Sequence, residues 1–312
     1  MNQGNGLVKR LERKGISRRD FMKYCTILTA TMGLSSSFVS KVAGALASAP
    51  RPPVVWLALA ECTGCAESTL RTMYPWIDEL VLDIVSLDYH ETIMAPSGEA
   101  AEKSLHDCIT HNEGKFILIV DGSIPTGQNG FYGTVGGKTM MELAKEVVPK
   151  ALATICIGTC ASYGGLPAAA PNPTAAKPVS EVCGVKTLNI PGCPPNPINL
   201  VGTVVNYLLF GKLPDLDDKG RPLFAYGQTI HDQCPRRSHF ENGEFVTSFG
   251  SEEAKKGYCL YQVGCKGPDT YNNCPSVRFN DGTSWPVQAG HPCIGCSEPN
   301  FWDKMSPFYK SA

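Results

Sequence analysis

From residue 53 onward, short continuous apolar runs alternate with longer stretches whose apolar positions recur at helical spacing. The run "PVVWLALA" (53–60) reads as a buried strand ending at "ECTGC". "STLRTMYPWIDEL" has helical spacing broken near Pro75, and "LVLDIVSLDY" and "KFILIVDG" read as further strands. "KTMMELAKEVVPK" is helical, "ALATICIGTC" is a strand ending at cysteine, and "VKTLNIPGC" repeats that arrangement. "NPINLVGTVVNYLLFG" then forms an apolar helix closed by Gly211. Such alternation predicts an α/β, flavodoxin-like, doubly wound parallel sheet. Ligands of such sheets bind beyond the carboxyl ends of the strands. Cys62, Cys65, Cys160 and Cys193 each follow a predicted strand, so the fold would gather them at one edge.

The periodicity fades after Pro214. Residues 215–312 are rich in Gly, Pro, Asn and Asp, which predicts a smaller, irregular domain organised by something other than an apolar core. The start of the chain is different again. A basic stretch, "NGLVKRLERKG", runs into "SRRDFMK", then a diluted apolar run and "VAGALASAP". This order predicts a twin-arginine export signal over residues 1–49, cleaved near Ala47 or Ala49. The expected mature protein is periplasmic, exported folded, with one domain at 50–214 and a cysteine-rich domain at 215–312. No segment is long and apolar enough for a membrane span.

The 28 basic and 29 acidic residues nearly cancel, so nucleic acid is not an expected partner. "GTVGGKT" (133–139) approaches a phosphate loop, but Tyr132 stands where the first glycine belongs. Gly136 and Gly137 therefore read as turn residues opening a helix. Cysteine is the abnormal component: removing Cys25 with the leader leaves 13 of the 14. A disulfide framework is one reading of an exported chain, but C-x-x-C spacing favours metal or redox chemistry. Three groups emerge: Cys62, Cys65, Cys160 and Cys193; His231, Cys234, Cys259 and Cys265; and Cys274, Cys293 and Cys296. Spacing alone leaves a Cys₃His zinc site open for the second.

"ECTGCAES", "IGTCASYGG", "NIPGCPPNP", "HDQCPRRSHF", "CLYQVGCKGPDTYNNC" and "WPVQAGHPCIGCSEPNFWD" together resemble the small subunit of periplasmic [NiFe] hydrogenases, in matching order from residue 53 to the C-terminus. The resemblance implies a proximal [4Fe-4S] cluster on Cys62, Cys65, Cys160 and Cys193. It implies a distal [4Fe-4S] cluster on His231, Cys234, Cys259 and Cys265, with a medial [3Fe-4S] cluster on Cys274, Cys293 and Cys296 between them. Pro286 would stand where a fourth medial cysteine is expected, tuning that site. The nickel–iron centre would lie in a large-subunit partner of a heterodimer, and a soluble multihaem cytochrome c would exchange electrons with the distal end. Oxygen-tolerant relatives carry extra cysteines at the positions of Gly64 and Gly165, so the glycines imply an ordinary, oxygen-sensitive proximal site.

Cys108, Cys156 and Cys183 remain unassigned and read as small buried hydrophobes. Cys156 could line the proximal site, and a Cys108–Cys183 disulfide stays open. Glu61 could assist proton movement or be a solvated interface acid, and His291 reads as structural. Two rivals remain: an iron–sulfur subunit of another oxidoreductase, and a secreted binding module stabilised by disulfides or zinc.

Overall fold

The computed structural model describes residues 11, 13, 15–72, 75–280 and 282–310. The start of the basic leader, at residues 5–10, lies outside the described residues, as do Met73 and Tyr74 within the run expected to be helical. Five strands build the main sheet: β1 (Pro53–Ala58), β2 (Ser86–His90), β3 (Ile117–Asp121), β4 (Ala153–Ile157) and β5 (Leu188–Ile190). Their order is β2-β1-β3-β4-β5, and every pairing is parallel. This is the flavodoxin-type order, whose reversal between β1 and β3 opens a crevice at the carboxyl edge.

The main helices are α1 (Arg18–Thr31), α2 (Val39–Ser48), α3 (Gly64–Leu70), α4 (Glu99–His111), α5 (Met140–Val147), α6 (Gly158–Tyr163) and α7 (Pro197–Phe210). Both faces of the sheet are buried, which explains the continuous apolar strands. Val54, Trp56, Ile117, Ile119, Ile155 and Ile157 belong to the core shared with α7. Their alternates, Val55, Leu57, Leu118, Val120 and Cys156, pack with Leu105 and Ile109 of α4 and Leu143 and Val147 of α5. A capping box between Thr139 and Glu142 starts α5 directly after the tight turn at Gly136 and Gly137, as expected. Asn196 caps α7, Pro197 opens it, and Gly211 ends it with φ of 65°.

Two elements differ from the sequence pattern. In "LVLDIVSLDY", only Ser86–His90 is a strand; Leu80–Ile84 is one π-helical turn. Leu80 and Ile84 are buried whereas Leu82 is 48% exposed, so the run buries one helical face rather than alternate positions. In "ALATICIGTC" the strand stops at Ile157, and Cys160 sits in the first turn of α6.

The leader segment folds onto the rest of the chain. Cys25, Leu28, Val42 and Leu46 are buried in the same cluster as Leu200, Val204 and Ile84. Arg18 and Arg19, just after the Ser17 cap of α1, face solvent. Among the described residues, no helix is long and apolar enough to cross a membrane.

Residues beyond 214 form short helices around a small cluster of Ile230, Val246, Leu260, Val263, Trp285 and Val287. A buried polar network joins this part to the sheet. Asn189 of β5 donates through its N–H to Gly220 O and through its side chain to Lys219 O, each at 2.8 Å. Arg221, 2% exposed, pairs with Glu298 at 2.8 Å and with Asp217 at 2.7 Å. Glu298 also accepts from the Tyr271 N–H at 2.8 Å and from Lys219 at 3.0 Å. Removing one member of such a pair strands its partner's charge. Glu298→Ala is therefore expected to cost about 3–5 kcal/mol, read as a lowered thermal midpoint, with Glu298→Gln falling between it and the wild type.

His90 gives a pH-dependent counterpart. Burial lowers its pKa to about 4, and its Nδ1 accepts the Thr92 N–H at 3.2 Å, fixing a neutral ring. The unfolded chain takes up this proton near pH 6.5, so between about 6.5 and 4 the unfolded state binds more protons than the folded one. The stability contribution of the neutral ring is thus present above that window and lost as pH falls through it. Relative to His90→Gln, the wild type should lose up to about 3 kcal/mol between pH 7 and pH 4. Paired thermal melts of the two proteins measure this difference.

Candidate functional site

Three strand ends and the turns after them converge on the first cysteine group. After β1, Thr63 takes a left-handed conformation (φ 64°), and Gly64 opens α3, so Cys62 and Cys65 flank one turn. β4 leads into α6 and Cys160, and β5 leads into Gly192 and Cys193. β3 lies between β1 and β4 and ends at Asp121, at the same edge. The four thiols influence one another: Cys160 and Cys193 raise the Cys65 pKa, and Cys62 and Cys193 raise that of Cys160. Burial is the first cause in each case, pushing Cys160 up to about 12 and Cys193 up to about 11.

The medial and distal groups are organised in the same way. Cys274 lies well above the usual thiol range through burial and then the nearby Cys296 and Cys293. Burial raises Cys259 as well, and Cys265 and Cys234 add to it. His231, Cys234, Cys259 and Cys265 line one small pocket together with Arg236 and Tyr261. The His231 ring is braced edge-on by Phe240 at 4.6 Å. Arg236 donates its N–H to the Cys234 sulfur at 3.4 Å, and its charge favours the thiolates of Cys234, Cys259 and Cys265. Contacts also run between groups. The Cys293 N–H donates to the Cys265 sulfur at 3.4 Å, and the Cys193 amide favours the Cys296 thiolate.

The donors fit iron–sulfur ligation. No disulfide joins any of the fourteen cysteines, Cys108 and Cys183 included. Among the described residues, no three His, Cys, Asp or Glu side chains converge closely enough for one metal ion. Thiols gathered at one edge within electrostatic reach of one another suit a cluster, whose thiolates bind separate irons. The backbone leaves room beside the sulfurs. A Cβ on Gly158 would lie 2.4 Å from the Cys65 sulfur, and one on Gly165 would lie 2.8 Å from that of Cys160. At Gly64 the distance to the Cys62 sulfur would be 3.2 Å. A groove of about 840 Å³ between α1 and residues such as Arg71, Phe224 and Arg278 is lined by none of the cysteines.

One expectation moves. Cys156 belongs to the core on the α4 and α5 face, whereas Cys65 belongs to the opposite core, so Cys156 does not line the proximal group. Pro286 is exposed between the buried Trp285 and Val287, and His291 is exposed beside Phe249. Asp121 is an addition that the sequence pattern did not single out. Burial, followed by the Glu61 charge, pushes its carboxyl up to about 7. Glu61 is raised by burial too, and its Oε1 accepts from Thr63 at 3.3 Å. The signal was present in "KFILIVDG": a carboxylate closing an apolar strand at the ligand edge.

Comparison with known proteins agrees with this geometry. Residues 226–309 match the C-terminal family of NiFe/NiFeSe hydrogenase small subunits. Residues 62–207 match the family of the NADH ubiquinone oxidoreductase 20 kDa subunit. The chain is 56% identical to the periplasmic [NiFe] hydrogenase small subunit 1 of Nitratidesulfovibrio vulgaris, over 98% of this chain and 97% of that one. It is 59% identical to the periplasmic [NiFe] hydrogenase small subunit of Solidesulfovibrio fructosivorans, over 97% and 95%. A reduced, active Ni-Fe-Se hydrogenase from Desulfomicrobium baculatum superimposes with a TM-score of 0.79 at 40% identity, covering 84% of this chain and all of that one. The match over residues 62–207 covers the part shared with other oxidoreductases; the C-terminal match and the full-length identities separate this chain from them. It belongs to the small subunits of [NiFe] hydrogenases, the iron–sulfur, electron-transferring partners of a large subunit that carries the H₂-activating site.

Proposed function

We propose that the chain relays electrons, one at a time, between the large subunit and an external carrier through three clusters in series. Cys62, Cys65, Cys160 and Cys193 hold the proximal [4Fe-4S] cluster. Cys274, Cys293 and Cys296 hold the medial [3Fe-4S] cluster, and His231, Cys234, Cys259 and Cys265 hold the distal [4Fe-4S] cluster. The observation that carries this reading is the linear adjacency of the donor groups. The first meets the second at Cys193 and Cys296, and the second meets the third at Cys293 and Cys265.

Bound clusters supply reversible one-electron redox chemistry at potentials that the protein sets by ligand charge, hydrogen bonds to sulfur and burial. This chain's residues supply those levers. Neutral His231 in place of a thiolate leaves the distal site less negative, which raises its potential. The N–H groups of Arg236, Cys293 and Gly295 reach cysteine sulfurs and stabilise negative charge there. Glycine at 64 and 165 leaves no extra sulfur beside the proximal group, in keeping with an oxygen-sensitive enzyme. Arg18 and Arg19, displayed at the start of α1, and Ala47 and Ala49, at the end of α2, suit export by the twin-arginine route to the periplasm. A multihaem cytochrome c is the proposed carrier at the distal end.

Two measurements test the assignment. The purified complex should contain about twelve iron atoms per heterodimer, counting four, three and four in the small chain and one in the partner's nickel–iron centre, and should show an isolated three-iron EPR signal when oxidised. A colourless, zinc-containing protein would overturn it. In Pro286→Cys, the new thiolate should admit a fourth iron, remove the three-iron signal and lower the medial potential. Persistence of an unchanged three-iron signal would refute the role given to Pro286.

A further inference from the structure

One side chain touches both the proximal and the medial groups without belonging to either. Thr159 precedes Cys160, is 1% exposed, and follows Gly158, which has a positive φ of 83°. Its hydroxyl accepts the Gly192 N–H at 2.9 Å and donates to the carbonyl of Cys296. Its own N–H donates to Gly192 O at 3.0 Å. Gly192 is bonded to Cys193, so the threonine ties both later proximal loops together and fastens them to a medial ligand 137 positions away. The medial and distal groups are joined by Lys266 N–H to Cys293 O at 2.8 Å and by Cys293 N–H to the Cys265 sulfur at 3.4 Å.

We propose that Thr159 is a positioning residue for the proximal-to-medial electron step, its hydroxyl fixing the separation and relative orientation of the two cluster sites. The proposal rests on the three-cluster assignment above. The Gly192 loop turns back closely on itself: a Cβ there would lie 2.5 Å from Pro195 Cα. The loop is packed against its own continuation. A hydroxyl is needed rather than an apolar side chain of the same shape, because the buried Gly192 N–H and the part-buried Cys296 carbonyl both point at it.

The test uses the assembled two-subunit enzyme carrying Thr159→Val, which keeps the shape and removes the hydroxyl, or Thr159→Ser, which keeps the hydroxyl. Iron content per chain and H₂/D⁺ exchange by the partner report assembly. Freeze-quench EPR after mixing with H₂ reads the decay of the three-iron signal, and equilibrium titration reads the potentials. The expected result is a slower decay in Thr159→Val at unaltered proximal potential, with wild-type decay in Thr159→Ser. Failure of Thr159→Val alone to load the medial iron supports the same role at the level of assembly. Wild-type decay in both variants overturns the proposal. So does equal slowing or equal loss of iron in both, which assigns the effect to packing. Absence of a three-iron signal from the wild-type complex instead overturns the cluster assignment itself.

Discussion

Taking a thiol out of water favours its neutral form, and that penalty governs the site-bearing half of this molecule. Cys65 and Cys274 are held far above the ordinary thiol range, and Cys160 is pushed up to about 12. Backbone N–H groups and Arg236 offset only part of the cost. Thiolate ligation at these positions thus requires the positive charge of iron, and loading is coupled both to proton release and to folding. Beyond residue 214, Cys274 and Cys293 are themselves members of the small apolar cluster. With the proposed ligands, clusters would cross-link that region in the way that a larger domain is held by a core.

Against this, the sheet is self-sufficient. Its apolar strands are buried on both faces, and its order delivers cysteines from β1, β4 and β5 to one edge. The junction between the two regimes is the Arg221–Glu298 pair, with Asn189 on one side and Cys296 two residues away on the other. Well-made buried pairs of this kind contribute less to net stability than to the cost of being disrupted. A tether near a medial ligand therefore holds geometry more than it adds free energy.

How far the chain could be read from its residues follows from which signals are local. The strands, α7 with its Asn196 cap and Gly211 stop, and the ligand cysteines after strands are written in contiguous patterns. The Leu80–Ile84 turn was hidden because a short apolar run has no visible period, and its exposed Leu82 is apolar. Helix α4 escaped because its inward stripe is narrow, with Leu105, Cys108 and Ile109 set among charged and small residues. Thr159 and Glu298 were invisible for another reason. A polar residue announces a buried role only through its partner, and Arg221 and Glu298 stand 77 positions apart.

The absent β-carbons around the cysteines carry a last consequence. Glycine-to-alanine replacement is an ordinary route to a stiffer, more heat-resistant chain, because it reduces the freedom of the unfolded state. At Gly158 and Gly165 that route is closed twice over, by positive φ values of 83° and 54° and by the sulfur atoms a methyl group would meet. The loops nearest the inorganic centres must keep the most flexible residue in the chain, so any hardening of this enzyme against heat has to come from elsewhere in the fold.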